Sequence, residues 1–579
     1  MAVEKLIVDH IDTWTTALQT RSTAGRGSSG KIDLYGIKKL RELILELAVH
    51  GKLVPQDPND EPASELLKHI AAEKAELVKQ GKIKKPKPLP EISEEEKPFE
   101  LPAGWEWIKI SEIGHDWGQK TPDEDFTYID VGSINKEYGI IEEPSILSAK
   151  DAPSRARKIV QKGTVIYSTV RPYLLNIAII ESAFSPEPIA STAFAIIHPY
   201  TAMNANFIYY YLRSPVFINY VESCQTGVAY PAINDKQFFS GIIAVPPSSE
   251  QARITKKIKE LMSLCDQLEQ HSLTSLDAHQ QLVETLLTTL TDSQNADELA
   301  ENWARISEHF DTLFTTEASI EALKQTILQL AVMGKLVPQD PSDEPASELL
   351  KRIAQEKAQL VKDGKIKKQK PLPSISDEEK PFELPNGWEW SRLDHVASKI
   401  TDGDHKTPPR IAEGYKLLSA KNIRDGFLDY ENCDYISESS YIKSRERCLP
   451  EKGDLLIVSV GGTIGRSSLI TGDSEFALVR SVAIIKPLII EPDFLKIAMD
   501  SQLLQSMIHS HKRGGAQPCL YLGEISKFLF PVPPLKEQIR IVKTVNIFMG
   551  ILETLTLAFK SAQKTQLHLA DALTDAAIN

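Results

Sequence analysis

A chain of 579 residues, 42% hydrophobic and 25% charged, has the length for three to five structural units and enough apolar side chains for real cores, which excludes a disordered protein. Its net charge of -13 argues against a simple electrostatic binder of nucleic acid and favours solubility and protein partners. The five cysteines, Cys224, Cys265, Cys433, Cys448 and Cys519, form neither a CxxC pair nor an even-numbered framework, and read as reduced thiols of a cytoplasmic protein.

The start, "MAVEKLIVDHIDTW", lacks a cationic run followed by an apolar core, and no window holds 18 consecutive apolar residues, so neither secretion nor membrane insertion is expected. Residues 1–36 read as a helical segment and a flexible loop, "TRSTAGRGSSGKIDLYG" from Thr20 to Gly36. Residues 37–101 form an arm. Its spacing predicts a helix that starts near Pro62, is capped by Asp60 and is ended by Gly81. "GKIKKPKPLP" follows, too rich in lysine and proline to stay helical. It reads either as a solvated connector or as an extended arm whose Lys82, Lys84, Lys85 and Lys87 touch a partner or DNA phosphates.

From 102 to 247, short β-rich runs such as "GTVIYSTV" and "NIAIIESA" alternate with Gly, Pro, Asn and Asp, indicating a small mixed α/β domain. Side chains suited to base and phosphate contacts cluster at its loop-like positions: Arg155, Arg157 and Lys158 in "SRARK", Ser168, Arg171, Tyr173 and Asn176 in "STVRPYLLN", and Gln225, Tyr230 and Asn234 in "CQTGVAYPAIN". Residues 248–292 read as a helix with an apolar seam at Ile254, Ile258, Leu261, Cys265 and Leu268. Fully helical, the stretch from Glu250 to Leu290 would be about 60 Å long, at roughly 1.5 Å per residue.

The second arm, 293–384, is a copy of the first. Ile44 to Trp107 and Ile327 to Trp390 are identical at 53 of 64 positions, both ending in "FELPxGWEW", so Asp343, Pro345 and Gly364 repeat the helix signals and Lys365, Lys367, Lys368 and Lys370 the basic run. Residues 385–534 then diverge from the first block while keeping its mixed α/β pattern. Here the candidate contact residues are His405 and Lys406 in "TDGDHKTPPR", Lys421, Asn422 and Arg424 in "SAKNIRDG", Arg445 and Arg447 in "SRER", Thr463 and Arg466 in "GGTIGRS", and Lys512, Arg513 and Gln517 in "HKRGGAQP". Similarity returns at "VPPSSEQARI" and "VPPLKEQIRI", and residues 535–579 form a last helix whose Ile541, Val545, Phe548, Leu552 and Leu555 repeat the earlier seam. The two seams are natural partners for each other. The alternative is that each packs into its own neighbouring globule.

Catalytic signatures fail on inspection. "GGTIGRS" lacks the spacing and lysine of a phosphate loop, "DGDH" lacks the spaced ligands of an EF-hand, and no base-methyltransferase, helicase-motor or nuclease motif is found. The chain reads as non-catalytic, and no metal or cofactor site is expected in it.

The doubled "GKLVPQD...EPASELL...GKIKK...FELPxGWEW" frame, the two divergent blocks, and "PPxxEQxRI" followed by a helix resemble the DNA-specificity subunit of type I restriction-modification systems over nearly the whole length. The resemblance implies an α+β chain in which two mixed α/β target-recognition domains are separated by long antiparallel coiled-coil helices from two conserved repeats. It further implies that each variable block reads one half of a bipartite double-stranded DNA target. The partners implied are two methyltransferase subunits and the restriction/translocase subunits of the full complex, which use S-adenosylmethionine, ATP and Mg2+. An autonomous DNA-binding scaffold or regulator derived from such a subunit is the alternative. Neither block is strongly basic: Trp105 to Val245 holds 11 Lys+Arg against 15 Asp+Glu, and Trp388 to Val532 holds 18 against 19. Much of the phosphate affinity must then come from the partners.

Overall fold

The computed structural model describes residues 3–21, 31–84, 90–227, 229–472, 475–515 and 518–578, and the chain divides into two compact units. Among the described residues, the first gathers those up to Thr274 together with the C-terminal stretch from Gln563, and the second runs from Ser275 to Ala562. Lys85, Lys87 and Gln517 lie outside the described residues.

Each unit repeats one plan. An arm helix, Tyr35–Val49 or Glu317–Val332, precedes a second, Ala63–Lys79 or Ala346–Lys362. The second helix buries one stripe, Ala63, Leu66 and Ile70 or Ala346, Leu349 and Ile353, spaced three and four apart as a one-faced helix requires. It ends as expected, at Gly81 (φ 71°) or Gly364 (φ 73°), where the left-handed backbone closes the last turn. The start differs from expectation: Pro62 and Pro345 are the cap residues and receive no side-chain cap. Asp60 instead accepts the Arg253 guanidinium at 2.6 Å, and Asp343 accepts Arg540 at 2.7 Å. A carboxylate offered a charge-assisted bond by arginine is better satisfied there than by a neutral helix N–H.

The arm leads into the variable domain through a strand that pairs antiparallel with the strand leaving it: Glu106–Lys109 with Ile242–Val245, and Glu389–Arg392 with Leu529–Val532. Each domain therefore begins and ends at one two-stranded ladder. Inside it lie two four-stranded sheets. In the first domain one sheet runs Ile177–Ile179, Val165–Ser168, Phe194–Pro199, Gly114–His115; in the second the same order recurs as Ser467–Leu469, Leu455–Val458, Val482–Pro487, Ala397–Asp402. The other sheet carries one parallel pair in each domain, Phe126–Ile129 with Pro188–Ser191 and Tyr415–Leu418 with Phe476–Leu478. Strands such as Val165–Ser168 and Leu455–Val458 are buried throughout, which is why they read as continuous apolar runs.

Past the closing strand, "PPxxEQxR" fastens the domain to its arm. Glu250 accepts the Trp105 indole N–H at 3.0 Å, and Gln251 donates to the Pro246 carbonyl (3.0 Å) while accepting the Asn204 backbone N–H (2.9 Å). In the second unit Gln538 donates to Pro533 and accepts the Glu491 backbone N–H, both at 2.9 Å. Burial raises the Glu250 and Glu537 carboxyls above the ordinary range.

Two long helices follow, Ser248–Asp292 and Leu535–Ile578, each beginning in one unit and ending in the other. The two helices run antiparallel, as expected, the start of each lying in the same unit as the end of the other: Val283, Leu287 and Leu290 of the first share a core with Ile541, Val545 and Leu552 of the second, so each seam is buried in its own unit and the two seams do not face each other directly. Ile254, Ile258, Leu261 and Cys265 are buried in the first unit, where Arg41 of the arm helix reaches Asp266 (2.7 Å) and Glu269 (2.6 Å). Ile541, Val545 and Leu552 belong to the core of the second unit, with Phe548 edge-on to Trp303 at 6.3 Å. Equivalent sequences seek equivalent arms, and packing of each seam on its own arm satisfies both. One 18-residue window of the Leu535–Ile578 helix has a mean hydropathy of 1.5, enough by composition for a membrane span. The same helix buries Ile541, Val545 and Leu552 in a protein core and carries Lys543, Glu553 and Lys560, while Ile547, Ile551 and Leu557 on its other side are exposed.

Arm and domain are also joined where the two repeats differ. Gln329 accepts the Leu503 backbone N–H (3.2 Å) at the start of the Gln502–His511 helix, and Glu46 accepts the Val216 N–H at the same place in the Pro215–Cys224 helix. Glu46 is buried, lies beside His50 (3.3 Å) and faces the charge of Glu42; burial first and Glu42 second push its carboxyl up to about 7. Because the folded value exceeds the unfolded 4.5, stability is full below pH 4.5 and is lost as pH rises through 7. Glu46→Gln, which copies Gln329, should therefore raise the melting point of the first unit at pH 8 by the equivalent of up to about 3 kcal/mol and hardly at all at pH 4.5. A stabilisation equal at both pH values would show that Glu46 does not titrate as assigned.

Candidate nucleic-acid interface

The strand Val165–Ser168 ends in a loop the backbone must contort to make. Ser168 folds its hydroxyl onto the Val170 carbonyl (2.9 Å), and both Arg171 (φ 49°) and Leu175 (φ 53°) adopt the left-handed conformation, which disfavours side chains by about 1–2 kcal/mol each. Backbone bonds hold it there. Thr169 N–H donates to Ala193 (2.9 Å), Arg171 N–H to Pro231 (2.8 Å), Ile233 N–H to Thr169 (3.0 Å), and Thr192 N–H to Arg155 (2.8 Å). Four loops, around residues 155, 171, 192 and 231, are thus drawn into one cluster.

The second domain builds the same cluster from an unrelated sequence. Ser459 N–H donates to Ser481 (2.9 Å), Gly461 to Pro518 (3.0 Å), Leu520 to Ser459 (2.8 Å) and Arg480 to Asp404 (3.0 Å). Gly461 (φ 107°) stands where the first domain has Arg171, and Arg480 stands where it has Thr192. One loop scaffold carries two different sets of side chains.

In the first domain Arg171, Tyr173 and Tyr230 come together at this cluster. The Arg171 guanidinium lies 4.8 Å over the Tyr230 ring, and Tyr173 and Tyr230 are 52% and 69% exposed. Arg155 is exposed on the neighbouring loop, while Arg157 donates to the Ser154 carbonyl (3.2 Å) and to Thr121. Three candidates are withdrawn from the surface: Lys158 is buried and paired with Asp235 (2.9 Å), Ser168 is buried against Val170, and Asn176 is buried while its carbonyl accepts Ser168 N–H. Asn234 is exposed but caps the helix Asp235–Ser240 through Gln237, and Gln225 is half-buried.

In the second domain His405 and Arg447 share Asp402, at 3.2 and 2.6 Å, a polar knot beside the Asp404 loop. Lys421 is paired with Asp434 (3.1 Å), Arg424 with Asp429 (3.5 Å) and Arg466 with Asp425 (3.5 Å). Arg445 lies over Tyr441 at 5.2 Å and donates to the Phe476 carbonyl at 3.3 Å. Lys406 and Thr463 are exposed, as are Lys512 and Arg513, the latter 3.7 Å from Glu524 in the short helix Leu522–Ile525. Asn422 is withdrawn: fully buried, it accepts Ser419 N–H (3.0 Å) and donates to the Asp429 carbonyl (2.9 Å), an internal brace and not a contact residue.

Thr192 and Arg480, central to the clusters, escaped the sequence reading. Their signal was available: each is a polar residue within a two-residue break between apolar runs, "IASTAFAII" and "FALVRSVAII", the mark of a tight strand-to-strand turn.

The family model for the type I restriction modification DNA specificity domain matches residues 102–278 and 385–558. Over its full length the chain is 52% identical to the type I restriction enzyme EcoAI specificity subunit and 48% identical to the EcoEI specificity subunit, both of Escherichia coli, each covered in full. A solved structure described as the basis of complex assembly and conformational transition of the type I R-M system covers 83% of this chain and 99% of its own, with a TM-score of 0.50 and 22% identity, a likeness of fold.

Proposed function

The chain belongs to the family of type I restriction-modification DNA specificity subunits, and on that premise we propose that each variable domain reads one half of a bipartite double-stranded DNA target through its loop cluster. The observation that carries this reading is the pair of near-identical frames presenting one loop scaffold with two different sets of side chains. A device for reading one sequence needs one such surface; a device for reading two halves needs two surfaces on equivalent mounts.

The chain directs chemistry performed by others. Two methyltransferase subunits dock on the doubled frame, restriction subunits join the larger complex, and S-adenosylmethionine, ATP and Mg2+ serve those partners. The cytoplasm, where DNA and partners meet, is the proposed location. Of the basic arm residues, Lys82, Lys84, Lys365, Lys367, Lys368 and Lys370 are exposed, and they are proposed to touch a partner or DNA phosphates.

Light scattering of the chain titrated with its methyltransferase subunit should settle at two copies per chain. The purified chain alone should transfer no methyl groups and cleave neither DNA nor ATP, whereas the assembly methylates one bipartite sequence. Saturation at a single copy, or robust activity from the clean chain, overturns this reading.

A further inference from the structure

The arginines of the two variable domains differ in what they meet. In the second, Arg410, Arg424, Arg447 and Arg466 each meet an aspartate at 2.6 to 3.5 Å. Arg480, exposed on the tight turn from Val479 to Val482, has no carboxylate within ion-pair distance among the described residues. In the first, none of Arg155, Arg157, Arg171 and Arg213 meets a carboxylate among the described residues; Arg157 and Arg213 donate to the Ser154 (3.2 Å) and Lys136 (2.8 Å) carbonyls, and the Arg171 guanidinium lies over the Tyr230 ring. Arg155, Arg171 and Arg480 thus place guanidinium groups with no acid partner among the described residues on the loop clusters of domains that are otherwise acidic or balanced. An ion-paired guanidinium has its donor fork occupied. A stacked one presents a face to the ring and keeps the N–H groups at its edge available.

Resting on the reading of the chain as a bipartite DNA reader, we propose that Arg171 in the first domain and Arg480 in the second each read a guanine in their half of the target. Two parallel N–H donors match the O6 and N7 acceptors of guanine in the major groove, a match no other base offers. Both residues project from backbone that is fixed at both ends: Arg171 from a left-handed residue tied to Pro231, Arg480 from a turn tied to Asp404. The positions do not coincide. Thr192 takes the place of Arg480 in the first domain and Gly461 that of Arg171 in the second, so one scaffold places its guanine reader on a different loop in each half.

The test uses the full chain assembled with its methyltransferase subunits, with Arg480→Ala, Arg480→Lys and Arg171→Ala compared by single-molecule methylation mapping and competition binding. Arg480→Ala should lose about ten- to a hundred-fold of the preference for guanine at one position of the second half, with the first half unchanged. Arg480→Lys should behave similarly, since a lysine keeps the charge but not the fork. Arg171→Ala should do the same in the first half only. Unaltered specificity, retained specificity in the lysine variant, a uniform loss of affinity across all sequences, or a half-site without guanine overturns the assignment. Should the unmutated assembly select no sequence at all, the reading of the chain as a DNA reader falls first.

Discussion

Exchange of Ser391–Pro531 for the corresponding block of a relative should replace one half of the methylated sequence and leave the other half and the spacing untouched. The exchange points are the reason. Trp390 pairs with Pro531 and Ser391 with Phe530 in the ladder that opens and closes the domain, so both cuts fall at neighbouring rungs of one two-stranded sheet. A ladder is held by backbone bonds and accepts new side chains on an unchanged register.

The frame also grips the domain in part through its backbone, where sequence does not matter. Gln538 takes the backbone N–H of Glu491, and Gln329 takes that of Leu503. The first unit repeats both with Gln251 on Asn204 and Glu46 on Val216. Frame side chains, constant at Gln251 and Gln538 and alike in shape at Glu46 and Gln329, hold variable domains by their main chain, which explains how so divergent a pair of blocks sits on mounts that are nearly identical. Other contacts are apolar, Trp388 edge-on to Phe494 at 6.4 Å and Trp105 edge-on to Phe207 at 6.5 Å, or side-chain pairs that the new block must keep, Lys357 with Asp394 (3.1 Å) and Glu379 with Arg392 (2.7 Å). A block of about 140 residues buries enough surface to fold on its own core. The readout is the methylation motif of the hybrid. A change in both halves would mean the domains are coupled, and a change in neither would remove the second domain from DNA reading.

Much of this plan was legible because it depends on local rules or on identity between repeats. The arm helix ended at Gly81 and Gly364 because only a left-handed residue closes that turn, and the long helices announced themselves by spacing. What failed depended on contacts far apart in sequence. Asp60 looks like a helix cap until Arg253 arrives from 193 residues away. Asn422 and Ser168 have the polarity of contact residues, but buried loops need internal acceptors and donors as much as DNA does, and composition does not separate the two uses. The loop clusters themselves have no sequence signature, since their four defining bonds are backbone to backbone and are made by Thr169 in one domain and Ser459 in the other, by Arg171 in one and Gly461 in the other.

Leu261→Asp and Phe548→Asp should each disrupt one unit and spare the other. Leu261 is 3% exposed, and a carboxylate there loses the transfer energy of leucine and must be desolvated as well, about 3–5 kcal/mol in total. Phe548 is half-buried beside Trp303, so its replacement should cost less, about 2–4 kcal/mol. If the two seams packed on each other, either charge would be buried against the opposite helix and the double variant would be less damaged than the sum. With Leu261 in the core of the first unit and Phe548 in that of the second, the effects should add to within about 0.5 kcal/mol. Amide hydrogen exchange locates the damage: Leu261→Asp should deprotect the Tyr35–Val49 helix, which Arg41 ties to Asp266 and Glu269, while Glu317–Val332 keeps its protection. Phe548→Asp should do the reverse. Loss of protection at Val545 and Leu552 in the Leu261 variant, or a coupling well above 1 kcal/mol, would restore the paired seam.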